Sequence, residues 1–142
     1  MKIYVDTSFL VSLYSPDANS AAAAGVMQAS KGQHLVSTLG ELEVVNALQL
    51  RVFRKELSPA QARAALVAFE SDLQSHVFQL VALPEHAFDR ARQLSLRTTA
   101  KLGTRTADLL HIAPAMELGA EVLYSFDLQQ RKLAQTLQLK LN

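Results

Sequence analysis

Ile3, Tyr4 and Val5 open the chain as an uninterrupted apolar run that stops at Asp6 and gives way to Thr7 and Ser8. A short apolar run without alternation suits a strand covered on both faces, as in a parallel sheet. Thr7 and Ser8 offer a cap for a helix beginning near Phe9. In open α/β sheets, ligand sites form beyond the carboxyl ends of strands, beside the switch in strand order. A carboxylate there is well situated for chemistry, although one Asp after one strand also serves as an ordinary turn or cap residue.

The same succession recurs along the chain. His34–Ser37, Val77–Leu83 and Glu121–Phe126 read as further strands, and Leu137–Leu141 as a final edge strand. Between them lie helical stretches. Phe9–Tyr14 is stopped by Ser15-Pro16, and the Ala-rich Asp17–Lys31 ends at Gly32. Thr38 to Lys55 has Leu42, Val45 and Leu48 about one turn apart. Ser58-Pro59 is a helix-start pair whose helix runs to Ser75. Pro84–Ala100, Thr104–Leu118 and Asp127–Thr136 complete the set. Strands alternating with helices predict an α/β fold: one mostly parallel sheet with helices on both faces.

With 142 residues, 49% of them apolar and 19% charged, the composition is that of one globular domain over residues 1–142. The absence of cysteine removes disulfides, thiolate metal sites and thiol nucleophiles, and agrees with a cytoplasmic protein. No apolar run approaches the roughly 20 residues needed to span a bilayer, and MKIYVD lacks the order of a signal peptide. A net charge of +1 does not by itself argue for nucleic acid. The distribution says more, since Arg90, Arg92, Arg97, Lys101 and Arg105 follow one another with no acid between them.

Four acids fall at strand ends or early in helices: Asp6, Glu43 (with Glu41 as its rival), Asp108 and Asp127. In a parallel sheet these positions gather along one edge. An acid in the first turn of a helix gains roughly 0.3–1 kcal/mol from the dipole, which explains each separately but not their convergence. Several carboxylates in one pocket repel one another unless a cation is present. Hard oxygen donors without cysteine suit Mg²⁺ or Mn²⁺ rather than zinc.

The order DTS, LEVVNAL, ADLLHIA and SFD, over essentially the whole chain, resembles the PIN-domain ribonucleases, and most of all the toxins of VapBC-type toxin–antitoxin modules. By that resemblance the acids are Asp6, Glu43, Asp108 and Asp127, with Glu43 chosen because it precedes Val44-Val45-Asn46-Ala47-Leu48. The implied activity is metal-dependent endonucleolytic cleavage of RNA by a water activated on Mg²⁺ or Mn²⁺. An antitoxin protein and a second copy in a homodimer are the implied partners, with contacts around Phe9–Tyr14 and Val52–Phe53. Ser125 occupies a position where the family carries Thr or Ser. Pro114 departs from the pattern: an interior proline loses a hydrogen bond and bends a helix, so a kink near Leu110 is expected to alter the aim of Asp108.

Other residues have two readings each. Ser8 and Thr7 either orient Asp6 or cap the helix, and Asn46, one turn after Glu43, either orients that carboxylate or serves only as a cap. His111, one turn after Asp108, is read as a packed residue with its tip hydrogen-bonded in preference to a ligand. Arg97, Lys101 and Arg105 form either a solvated face or an RNA-backbone track. A haloacid-dehalogenase site would need a second Asp where Ser8 stands, a receiver would need an Asp after the third strand, and no phosphate-binding glycine loop occurs. The remaining alternative is a catalytically silent PIN-like module that binds RNA or protein.

Overall fold

The computed structural model describes residues 1–142. In its first half the chain runs β1 (Lys2–Val5), α1 (Thr7–Tyr14), α2 (Ser20–Ala29), β2 (Gln33–Ser37), α3 (Thr38–Phe53) and α4 (Pro59–Gln74). It continues through β3 (Gln79–Val81), α5 (Ala87–Leu94), a π-helical segment (Ser95–Thr99) and α6 (Ala100–Leu102). The last elements are α7 (Thr106–Glu117), β4 (Val122–Tyr124), α8 (Leu128–Thr136) and β5 (Lys140–Leu141).

All strand pairs are parallel, in the order β3-β2-β1-β4-β5. The first strand is therefore central, with Ile3 opposite His34 on one side and Val122 on the other. The chain builds outward from β1 to β3, then returns to the other side of β1 to lay down β4. The switch point lies between β1 and β4, where a crevice opens beyond the strand ends.

Side-chain alternation divides the core. Ile3 and Val5 with Val122 and Tyr124 face one cluster, completed by Phe9, Leu10, Val44, Leu48 and Phe69 from α1, α3 and α4. Tyr4 and Leu123 face the other, against Leu94, Leu109, Ile112 and Leu133 from α5, α7 and α8. Because β1 is covered on both faces, Ile3, Tyr4 and Val5 are all 0% exposed. Burying each such side chain stabilises the fold by roughly 1.5–3 kcal/mol.

The structure corrects several expectations. Phe9, Leu10 and Val11 are buried, so most of the Phe9–Tyr14 stretch packs into the core and offers no partner surface. On α3 the buried stripe is Gly40, Val44 and Leu48, and Leu42 is 64% exposed. Helix α2 starts at Ser20: the Asp17 carboxylate instead accepts Ser12 Oγ and pairs with Arg51 at 3.1 Å. The third and fourth strands are shorter than their apolar runs. Helix α4 begins as expected, with Ser58 and Gln61 bonding reciprocally around Pro59. Gly103 and Gly119 end their helices at φ +65° and +74°, conformations that a Cβ disfavours. Helix α7 runs unbroken through Pro114, and the bond from Leu118 N–H to the Pro114 carbonyl, 2.9 Å, resumes the ladder.

Candidate functional site

Asp6 follows β1 and Asp127 follows β4, so adjacent central strands deliver both to the switch point. Glu43, in the second turn of α3, and Asp108, in the first turn of α7, reach the same place. All four line one cavity of about 170 Å³, together with Thr7, Ser8, Arg105, Ala107, His111 and Gln130. A water in the liquid occupies about 30 Å³, so the space holds an ion with its waters or a phosphate group. Glu41 does not border it. A groove of about 500 Å³ shares Thr7, Ser8 and Asp127 with the cavity and continues to Arg51 and Arg54.

Three of the four carboxylates also have a local structural role. Asp6 caps α1 by accepting Phe9 N–H at 3.0 Å, and it accepts hydroxyl bonds from Ser8 (2.7 Å) and Ser125. No basic side chain forms an ion pair with it. Burial raises its pKa, against the lowering effect of the Ser125 bond, the nearby His111 and the Phe9 and Ser8 bonds. Ser8 Oγ also accepts Phe126 N–H (2.9 Å) and Asp127 N–H (3.2 Å), tying α1 to the turn after β4. Asp127 caps α8 through Gln130 N–H at 2.9 Å. Asp108 accepts Arg105 N–H at 2.8 Å, closing the first turn of α7.

Glu43 is held by a relay that local sequence did not reveal. Thr7 Oγ1 donates to it at 2.8 Å, so Thr7 serves Glu43 and not Asp6. His111 Nε2 bonds the same carboxylate oxygen, and His111 Nδ1 lies 3.0 Å from the Tyr4 hydroxyl, which donates to Ser37 Oγ at 2.8 Å. Burial pushes the pKa of Glu43 up, but the His111 bond and charge, Thr7 and Arg105 together bring it below its ordinary value. Glu43 is therefore kept ionised. His111 is 4% exposed, a packed residue whose tip reaches the cavity; its spacing from Asp108, one turn on, was the one available signal.

Asn46, expected beside Glu43, is exposed and makes no hydrogen bond to it; from the next turn it faces a groove with Leu42 and Leu50. Arg97 and Lys101 are exposed and unpaired, whereas Arg90 of the same basic run pairs with Glu117. Arg105 reaches over the cavity from the surface, with Nη2 3.3 Å from both Asp108 and Asp127. The Asp108 bond, then the charges of Asp108 and Asp127, hold its pKa above the ordinary value. Gln130 was not singled out by sequence. It is 2% exposed, and its Nε2 has no hydrogen-bond partner.

The donor set suits a hard divalent cation, since four carboxylates border the cavity and no thiol is present. As arranged, however, no three acidic or histidine side chains converge on one ion position. Asp108 and Asp127 hold the Arg105 guanidinium instead.

Among solved structures, VapC20 of Mycobacterium tuberculosis, a sarcin–ricin loop cleaving toxin, is similar with a TM-score of 0.73 and 21% identity, over 92% of this chain and 93% of that one. VapBC2 of Rickettsia felis, bound to a DNA fragment from its promoter, gives 0.68 at 15% identity, covering 100% and 98%. VapBC-1 of nontypeable Haemophilus influenzae gives 0.63 at 16% identity, covering 100% and 97%. At these identities the likeness is one of fold. No curated protein matches the chain by sequence. The PIN domain family matches residues 3–135, and with that extent of agreement the chain belongs to it.

Proposed function

We propose that residues 1–142 form a metal-dependent endoribonuclease, a hydrolase of RNA phosphodiesters, acting as the toxin of a toxin–antitoxin pair. The observation that carries this reading is the gathering of Asp6, Glu43, Asp108 and Asp127 around one cavity at the switch point of the sheet. In this reading those four hold Mg²⁺ or Mn²⁺. The bound ion would supply an acidified water and offset the phosphate charge. The chain's own groups do the positioning. Thr7 and His111 fix an ionised Glu43, while Ser8 and Ser125 orient Asp6. Arg97 and Lys101 are among the exposed, unpaired cations available to the RNA backbone outside the cavity.

The partner reading rests on VapBC-1 and VapBC2 among the similar structures and on α3. Leu42, Leu50 and Phe53 are 64%, 39% and 83% exposed along that helix, an apolar stripe of the kind that protein contacts cover. An antitoxin and a second copy of the chain are the proposed occupants of such surfaces.

The test is cleavage of a mixed RNA pool by purified protein in Mg²⁺, in Mn²⁺ and in EDTA, with Asp6→Asn alongside. Cleavage that needs the metal and fails in Asp6→Asn is expected. Undiminished cleavage in EDTA overturns the metal assignment. RNA binding without cleavage under any condition would make the chain a silent binding module.

A further inference from the structure

The cavity already contains a cation of its own. Arg105 Nη2 lies 3.3 Å from Asp108 Oδ1 and 3.3 Å from Asp127 Oδ2, while Nε lies 3.3 Å from Asp108 Oδ2. Half of the carboxylate set thus shares one guanidinium. Three features mark that occupant as replaceable. Its side chain is 68% exposed, so solvent is open to it. Its contacts are longer than the roughly 2.7–2.9 Å of tight charge-assisted bonds. Asp108 does not depend on it for orientation, because the Arg105 backbone N–H holds Asp108 Oδ2 at 2.8 Å whatever the side chain does.

We propose that Arg105 is a tethered counter-ion: it neutralises Asp108 and Asp127 in the metal-free protein and must swing out before a divalent cation binds there. This rests on the metal reading given above. In this reading the guanidinium fork occupies two of the four carboxylates that border the cavity, where a divalent ion would draw them together. The same arrangement explains how like charges coexist without metal. Arg105 offsets Asp108 and Asp127, His111 faces Glu43, and Asp6 is left to hydroxyl and amide donors. A divalent ion brings two charges where the guanidinium brings one, and its bonds to the carboxylates must also offset the loss of its own waters. The backbone bond keeps Asp108 aimed throughout.

Isothermal titration of the full chain with Mn²⁺ tests this on the wild type, Arg105→Gln and Arg105→Lys, with circular dichroism to verify folding. Exposed ion pairs are weak, so the expected gain is modest. Arg105→Gln should bind Mn²⁺ about fivefold more tightly, equivalent to about 1 kcal/mol. Arg105→Lys keeps the charge but lacks the two-armed fork, and should also bind more tightly than the wild type, by less. Thermal melts give a second readout: in EDTA Arg105→Gln should melt lower than wild type, and Mn²⁺ should raise its midpoint by more. Wild-type binding with Arg105→Gln no tighter overturns the proposal and leaves the metal reading intact. Arg105→Lys binding like wild type, with only Arg105→Gln tighter, means a diffuse field effect and equally overturns it. If neither wild type nor Arg105→Gln binds Mn²⁺, the proposal and the metal reading fall together.

Discussion

Replacing Tyr4 by Phe removes one oxygen from the centre of the sheet and leaves the ring. Tyr4 is 0% exposed, and burial, against the Ser37 bond, raises its pKa, so its hydroxyl stays protonated and donates to Ser37 at 2.8 Å. The same oxygen meets His111 Nδ1 at 3.0 Å. In Tyr4→Phe, Ser37 Oγ keeps its bond from Gly40 N–H, 3.1 Å, but His111 Nδ1 is left buried without a partner. A lost hydrogen bond costs about 1 kcal/mol net, and an orphaned buried polar atom about 1–3 kcal/mol. Some of that is recovered by the more apolar ring, so the expected loss is about 2–3 kcal/mol. For a chain of 142 residues this corresponds to a midpoint lower by about 6–12 °C. Thermal and urea melts in EDTA measure it free of any metal contribution. A cycle with His111→Leu locates the cause: without the ring nitrogen to orphan, Tyr4→Phe should cost only about 1 kcal/mol. A single-mutant loss below about 0.5 kcal/mol, or strict additivity in the cycle, would refute the relay as the support of Glu43.

Two further outcomes concern the cavity and one the basic run beyond it. The pKa of Asp6 is raised by burial in the folded state, so its contribution is favourable at acid pH and is lost as pH rises through that raised value. Asp6→Asn in EDTA should therefore gain stability over wild type from the ordinary carboxylate range upward; a gap that is constant with pH would contradict the burial argument. Gln130→Met fills a similar volume without the unpartnered amide nitrogen, and should stabilise the protein by about 1 kcal/mol, whereas a lower melting midpoint would show that the amide has a partner. Charge reversal at Arg97, exposed and unpaired, should weaken RNA binding and reduce its salt slope by about one unit. An unchanged slope returns Arg97 to the solvated face.

What could be read from the chain alone was what neighbouring residues decide among themselves. Ile3-Tyr4-Val5 announced a strand covered on both faces, Ser58-Pro59 a helix start, and Gly119 a helix end, because apolar runs, caps and left-handed backbone are signals within a few residues. The positions of Asp6, Asp108 and Asp127 at element ends were legible for the same reason, each being bonded to an amide three residues away. Tertiary structure decided which side chain answers which. Leu42 lies outside because the surface α3 packs on selects Gly40, Val44 and Leu48. Thr7 turns to Glu43, 36 residues on, and His111 meets Glu43 across 68. Arg105 belongs to a basic run in sequence, yet its guanidinium lies on the cavity because Asp127, 22 residues later, completes with Asp108 a negative pair that only the folded sheet assembles. Coulomb attraction and desolvation act through space, and the distances that set them exist only once β1 and β4 lie side by side.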